Sequence, residues 1–154
     1  MPGGTKVRRP QGGSLFTVGY EGRSVQDLVG VLSIHRVSVL VDVRENAVSR
    51  KAGFGKRALQ ASLEEAGIEY RHEPLLGNPR DNREAFRQGH AKARERYSKH
   101  LNNGSREAFD SIMEVAMKQR VALLCFERNA SDCHRSCIIE QAQQEVPALS
   151  SVSL

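Results

Sequence analysis

The chain has 154 residues, 39% of them apolar and 27% charged, which bounds it to one domain able to bury its own core. Three cysteines are too few for a disulfide scaffold and fit reduced thiols in a cytoplasmic protein. No apolar run approaches the length of a membrane-spanning helix, so a membrane role is not expected.

Residues 1–13 are basic, rich in Gly and Pro, and lack the apolar middle of a signal peptide. They read as a short flexible leader, and residues 14–154 as a single α/β domain. Lys6, Arg8 and Arg9 supply three of the five net positive charges, leaving +2 for the domain. That balance is compatible with a phosphate-bearing partner, a nucleotide or nucleic acid, and equally with a mildly basic surface.

Leu15 to Tyr20 reads as a buried strand. Ser24 then caps a helix, with Asp27 in the capping-box position and Val25, Leu28, Val29 and Leu32 on its apolar face. Val37 to Val43 is a second strand, and its unbroken apolar run favours a parallel sheet covered on both faces. Lys56 to Ala66 forms a helix with Leu59, Leu63 and Ala66 inward, stopped by Gly67. Ile68 to Glu73 is a third strand. Asp81 and Glu84 resemble another capping box, opening a helix that runs to about Leu101 and buries Phe86, Ala93, Tyr97 and Leu101. A further helix starts at Ser105, with Phe109, Ile112, Met113 and Ala116 on one face. Val121 to Phe126 is the fourth strand, and the last helix carries Ile138, Ile139 and Ala142. Val152 and Leu154 suggest a short edge strand. This order predicts a three-layer α/β/α fold around a mostly parallel sheet of four or five strands.

Chemistry-bearing residues collect at strand ends. Gly19, Tyr20, Glu21 and Arg23 occupy the first βα turn, where glycines allow close backbone approach and a helix N-terminus offers N–H groups to an anion. Asp42 and Arg44 alternate along a strand and point the same way. They read either as a structural ion pair or as a general base beside an anion-binding guanidinium. The basic segment from Ser49 to Phe54 reads as a lid or a mobile loop.

Cys125 lies within an apolar strand, where a cysteine is commonly a small hydrophobe. Glu127, just beyond it, needs a partner or a chemical task. Asp132 is expected to cap the last helix and so put Cys133 in the first turn, where its thiol pKa falls. His134 is a candidate acid, base or donor, and Arg135 a phosphate ligand. The spacing Cys-x7-Cys-His-x2-Cys matches none of the usual zinc patterns, and Cys133 and His134 should diverge on a helix, so neither metal nor cofactor is expected. On one helical wheel Arg83, Arg87 and Arg94 fall within a band of about 40 degrees, either a solvated face or a nucleic-acid backbone stripe.

The motifs Thr17-Val-Gly-Tyr-Glu21, Leu40-Val-Asp-Val-Arg44 with Ser49-Arg50, Ala66-Gly-Ile-Glu-Tyr70, Leu75-Leu-Gly77 and Leu124-Cys-Phe-Glu127 with Cys133-His-Arg135 span nearly the whole domain in order. Through them the chain resembles the bacterial and archaeal domain-of-unknown-function family number 488. That resemblance implies an α/β fold with a shared pocket at these motifs. Ala47 and Asn78 depart from residues common in that family, Pro and Gly respectively. A fainter likeness links Asp42-Val-Arg44 and Cys125 to rhodanese-type sulfurtransferases, although Glu127 would oppose a thiolate there.

Three functions are expected in order of preference. The first is an enzyme on a nucleotide or nucleic acid, processing a base or glycosidic bond, with Glu21, Asp42, Glu127 and His134 catalytic and Arg44 and Arg135 binding phosphate. The second is a thiol-dependent enzyme of rhodanese-like type, in sulfur transfer or redox chemistry, with Cys125 or Cys133 as nucleophile. The third is a non-catalytic nucleic-acid-binding module.

Overall fold

A computed structural model describes residues 14–154. The leader expected over residues 1–13 lies outside the described residues. The elements follow the order β1 (Ser14–Gly19), α1 (Val25–Ile34), β2 (Val39–Asp42), α2 (Lys56–Glu65), β3 (Glu69–His72), α3 (Arg80–Arg87), α4 (Ala91–Asn102), α5 (Arg106–Ala116), β4 (Val121–Cys125), α6 (Arg135–Glu145) and β5 (Ser150–Ser153). Short 3₁₀ turns occupy Pro74–Leu76 and Ala130–Asp132.

The sheet has five parallel strands in the order β3-β2-β4-β1-β5. Both of its faces are covered, because alternate residues of each central strand enter different cores. Phe16, Val18, Leu40, Ala122 and Leu124 pack with Leu28 and Leu32 of α1 and Leu59 and Leu63 of α2. Leu15, Val39, Val41, Val121 and Leu123 pack with Phe86, Tyr97, Phe109, Ile112 and Ile138 from α3 to α6. This is the three-layer α/β/α arrangement, and it explains why the strands lack polar alternation.

The Ser24–Asp27 capping box forms in full: Asp27 N–H donates to Ser24 Oγ at 3.0 Å, and Ser24 N–H donates to Asp27 Oδ2 at 3.0 Å. Gly67 adopts a φ of +81° and ends α2. Ala66, expected inward, is exposed, because the chain has already turned out of the helix there.

The long helix expected from Asp81 to Leu101 is two helices. Gly89, at φ +81°, breaks the run between α3 and α4. The Asp81–Glu84 box does not form, since α3 opens at Pro79, which lacks a side-chain cap. Asp81 instead accepts from Arg96 at 3.0 Å across the two helices. Among the described residues no helix is long and apolar enough to cross a membrane.

Candidate active site

β1, β2 and β4 lie side by side at the sheet centre, so their C-terminal ends deliver Gly19, Asp42 and Cys125 to one edge. In an open parallel sheet that edge is where ligands bind. A notch of about 190 Å³ opens there, below the usual range for drug-sized ligands and suited to a small substrate or a single group. Cys125, Cys133, His134 and Glu127 line its floor and wall.

The first βα turn is set by a close approach. A Cβ on Gly19 would overlap the Glu127 carbonyl, so only glycine lets the two loops meet. Tyr20 N–H donates to the Cys125 carbonyl at 3.2 Å and Glu21 N–H to the Phe126 carbonyl at 2.9 Å, tying the turn to the strand end carrying the cysteine. Glu21 faces away from the notch and accepts from the Arg128 backbone N–H at 3.0 Å. It is not among the notch residues, nor are Arg23 and Ser49, all three expected to contribute. Ser49 Oγ accepts from the Lys51 backbone N–H.

Asp42 is fully buried, and both its oxygens are committed. Oδ1 accepts from Arg44 N–H at 3.1 Å and Arg44 Nε at 2.8 Å. Oδ2 accepts from Arg44 Nη2 and from the Tyr70 hydroxyl, both at 2.6 Å. Arg44 Nη1 reaches the Phe54 carbonyl at 2.8 Å and the Tyr20 hydroxyl at 3.2 Å. Burial alone would depress the Arg44 guanidinium pKa, but the Asp42 contact outweighs it and holds the value above normal. Tyr70 is pushed up by burial and by the same carboxylate. The alternation of Asp42 and Arg44 therefore makes a buried ion pair, and Asp42 has no lone pair free to act as a base on substrate. It is a positioning residue that fixes the notch wall through Arg44. Phe54 stacks on Tyr20 with ring centroids 4.4 Å apart, which anchors the basic 49–54 loop to this wall.

The thiol cluster differs from expectation in its local structure. α6 begins at Arg135, and Asp132 lies in the preceding 3₁₀ turn rather than capping α6. Cys133 is extended, with φ −130° and ψ 151°. Cys133 and His134 consequently do not diverge on a helix: Cys133 Sγ lies 3.4 Å from His134 Nδ1. His134 Nε2 bonds the Val43 carbonyl at 2.9 Å, and Tyr97 packs edge-on against the ring with centroids 5.2 Å apart. Arg135, expected to bind phosphate, is fully buried and is not among the notch residues. Its Nε–H donates to Cys133 Sγ at 3.3 Å, and Nη2 donates to the Glu127 carbonyl. Nη1 is buried without a hydrogen-bond partner among the described residues.

These contacts separate the two thiols. Burial raises the Cys133 pKa, but the Cys125 S–H, His134 and Arg135 outweigh it and draw the value well below the ordinary thiol range. Cys125 moves the other way, raised by the neighbouring Cys133 and by burial. Its S–H donates to Glu127 Oε1 at 3.6 Å. Burial opposes charge on His134, yet the Cys133 thiolate raises its pKa and favours imidazolium. Burial and the same thiolate raise the Glu127 carboxyl. The opposition of a carboxylate to a thiolate expected from the sequence shows as this upward shift of the Glu127 carboxyl, with Arg87 paired to its Oε2 at 3.4 Å.

The side-chain ligand atoms of Cys125, Cys133 and His134 lie within 4.8 Å of one another. That spacing suits a soft metal ion, so the expectation of divergence is overturned. The guanidinium on the Cys133 sulfur opposes a dication at the same place.

The basic stripe resolves into paired side chains on two helices. Arg83 donates to Glu45 at 3.1 Å and to the Asn78 carbonyl at 2.8 Å. Arg87 bridges Glu84 at 3.3 Å and Glu127 at 3.4 Å. Arg94, beyond the Gly89 break, pairs with Glu140 at 2.9 Å and Ser136 at 3.1 Å. Arg83 and Arg87 line the notch and Arg94 does not.

Glu45, Asn46, Asn78 and Phe126 also line the notch, and none of them was expected as a site residue. Gly77 was the available signal for Asn78. A Cβ there would overlap the Glu45 backbone, so the turn carrying Asn78 is pressed against the segment after β2. The family model for the domain of unknown function DUF488 matches residues 24–142. No curated protein and no solved structure matches the chain.

Proposed function

This chain belongs to the DUF488 family, and we propose that its notch is the active site of a thiol-dependent enzyme with Cys133 as the nucleophile. One observation carries the reading: Cys133 Sγ accepts from Arg135 Nε at 3.3 Å while His134 Nδ1 stands 3.4 Å away. A guanidinium donor and an imidazole ring on one sulfur stabilise the thiolate, which is the reactive form. Val43 holds the imidazole in place through Nε2. Glu127 is a proton donor on the notch wall, its carboxyl raised by burial. Arg83 and Arg87 at the rim give the substrate's approach a positive field, even though both are paired. The substrate class is a small electrophile.

A second reading keeps Glu127 as the centre of a hydrolytic reaction on a nucleotide or nucleic acid, supported by the Arg87–Glu127 pair at the notch. Asp42, buried under four hydrogen bonds, and Glu21, bonded to the Arg128 backbone, give it little help.

Iodoacetamide at neutral pH, with the modified sites resolved by peptide mass spectrometry, tests the thiol reading. Cys133 should be alkylated first in the folded protein, ahead of Cys125 and Cys137. If Cys133 stays unlabelled when folded and all three thiols label in guanidinium, the reading fails. Turnover of a nucleotide that survives Cys133→Ser and is lost in Glu127→Gln would favour the second reading.

A further inference from the structure

We propose that Cys125 and Cys133 are a dithiol pair that reduces a small hydroperoxide, with Cys125 as the resolving thiol. The inference rests on Cys133 being the nucleophile and adds the substrate class and a second catalytic residue.

Four observations converge on it. The two sulfurs belong to one cluster whose ligand atoms lie within 4.8 Å, which makes them neighbours in the notch. The Cys125 S–H donates to Glu127 Oε1 at 3.6 Å, so the resolving thiol is in contact with a carboxyl that can take its proton once it has given up its own. Arg135 touches the Cys133 sulfur through Nε and carries a buried, unpartnered Nη1. The Nε contact makes the guanidinium a fixed cation on the sulfur that reacts. Finally, Cys133 is only 2% exposed and Cys125 9%, at the floor of a notch of about 190 Å³. That room suits a small electrophile, and a hydroperoxide brings only two oxygens to the nucleophile.

The chemistry closes without outside groups until the final reset. The Cys133 thiolate attacks the terminal oxygen of ROOH, and an S–O bond forms. The O–O bond breaks with its electron pair leaving on RO⁻, which takes the Glu127 proton and departs as ROH. Cys133 is then a sulfenic acid, oxidised by two electrons. Cys125 passes its proton to the Glu127 carboxylate, and its thiolate attacks the Cys133 sulfur. The S–O bond breaks, and the departing hydroxide takes that same proton to become water. The negative charge that began on Cys133 ends on Glu127. Two equivalents of an external low-molecular-weight thiol reduce the Cys125–Cys133 disulfide and restore the pair. Cys137, the third thiol, is buried and does not line the notch, so it serves as the internal control.

The test uses the reduced full chain with one equivalent of hydrogen peroxide, followed by a thiol count under denaturing conditions and peptide mapping. The native protein should lose two thiols per chain and yield a Cys125–Cys133 linked peptide. Cys137→Ser should do the same. Cys125→Ser should lose one thiol and leave a sulfenic acid at Cys133 that dimedone traps. Native oxidation should run at least ~100-fold faster than free cysteine, as expected for preorganised donors at the reacting atoms. Loss of a single thiol in the native chain, with no linked peptide, would overturn the pair while leaving Cys133 the nucleophile. A rate equal to that of free cysteine would overturn the peroxide assignment. Failure of iodoacetamide to reach Cys133 would instead remove the underlying thiol reading.

Discussion

Gly19, at the end of the first strand, lies flat against the carbonyl of Glu127, 108 positions later in the chain, with no room between them for a methyl group. The same carbonyl accepts from Arg135 Nη2. A backbone contact between two loops thus aligns the guanidinium that touches the Cys133 sulfur. Gly19→Ala should lower stability by about 1–3 kcal/mol through overpacking. It should also slow alkylation of Cys133, because the Glu127 segment must move. Thermal unfolding and the labelling rate check the two effects, and an unchanged labelling rate would detach Gly19 from the site.

Asp42→Asn removes the counter-charge of a buried guanidinium. Breaking such a pair costs about 3–5 kcal/mol. For a chain of this size the melting temperature should fall by roughly 10 °C. The variant separates a positioning role from a catalytic one. If Asp42 only positions, a folded fraction at low temperature keeps the pH profile of Cys133 labelling. If stability is untouched and reactivity alone is lost, the assignment made here is wrong.

The pH profile of Cys133 alkylation should hold its plateau below the ordinary thiol value of about 8.5. It should decline only as pH falls through the lowered Cys133 value, set by Cys125, His134 and Arg135 against the opposing effect of burial. The linked stability follows the same signs. The Cys133 contribution is complete above its unfolded pKa and is lost as pH falls through the folded one. The His134 contribution, raised by the thiolate against burial, is complete below its unfolded pKa and is lost as pH rises through the folded one. Rates measured by stopped labelling from pH 4 to 9, with an inflection near 8.5, would show an unperturbed thiol.

Arg87→Ala removes a cation paired with Glu127 and leaves that carboxyl beside Cys133. The Glu127 pKa should move further up. Side chains at this pair are 47% and 18% exposed, so the effect on stability is small, at most about 1 kcal/mol. Proton-transfer steps should therefore change more than the melting temperature does. Nuclear magnetic resonance titration of the Glu127 carboxyl provides the measurement, and a downward shift would contradict the pairing.

Soft metal ions provide a further check on the thiolate. Cys125, Cys133 and His134 offer a converging set to Cd²⁺ or Zn²⁺, which would occupy the nucleophile. Added Cd²⁺ should block labelling of Cys133, and a chelator should restore it. Hydroperoxide reduction should be unaffected by chelator alone. Loss of that activity on chelation, restored by Zn²⁺, would make the cluster a metal centre and displace the thiol mechanism.

Much of the architecture was legible in the chain because burial on both faces leaves a plain mark. The apolar runs at Leu15, Val37 and Val121, the Ser24–Asp27 box and the stop at Gly67 all have local causes, and each appears where the sequence predicts it. Gly89 was the available sign that the arginine-rich helix is broken. A single glycine inside a periodic pattern does not reveal whether its φ is positive, and here it is. That one dihedral turns the corner between α3 and α4, and contacts from elsewhere in the chain pair Arg94 with Glu140 and Ser136, apart from the notch.

At the site, local pattern marks the strand ends that bring Asp42, Cys125 and Glu127 to the carboxyl edge of the sheet. What each of them can do follows from the folded arrangement around it. The ordering of roles depends on partners distant in sequence: Tyr70 on Asp42, Val43 on His134, Arg128 on Glu21 and Gly19 against Glu127. A carboxylate's reactivity is fixed by its desolvation and by which donors occupy its oxygens. Neither quantity is a property of its neighbours along the chain. For that reason Asp42 and Glu127 looked alike in the sequence, while folding makes one a buried strut and leaves the other on the notch wall, its carboxyl raised by burial and by Cys133.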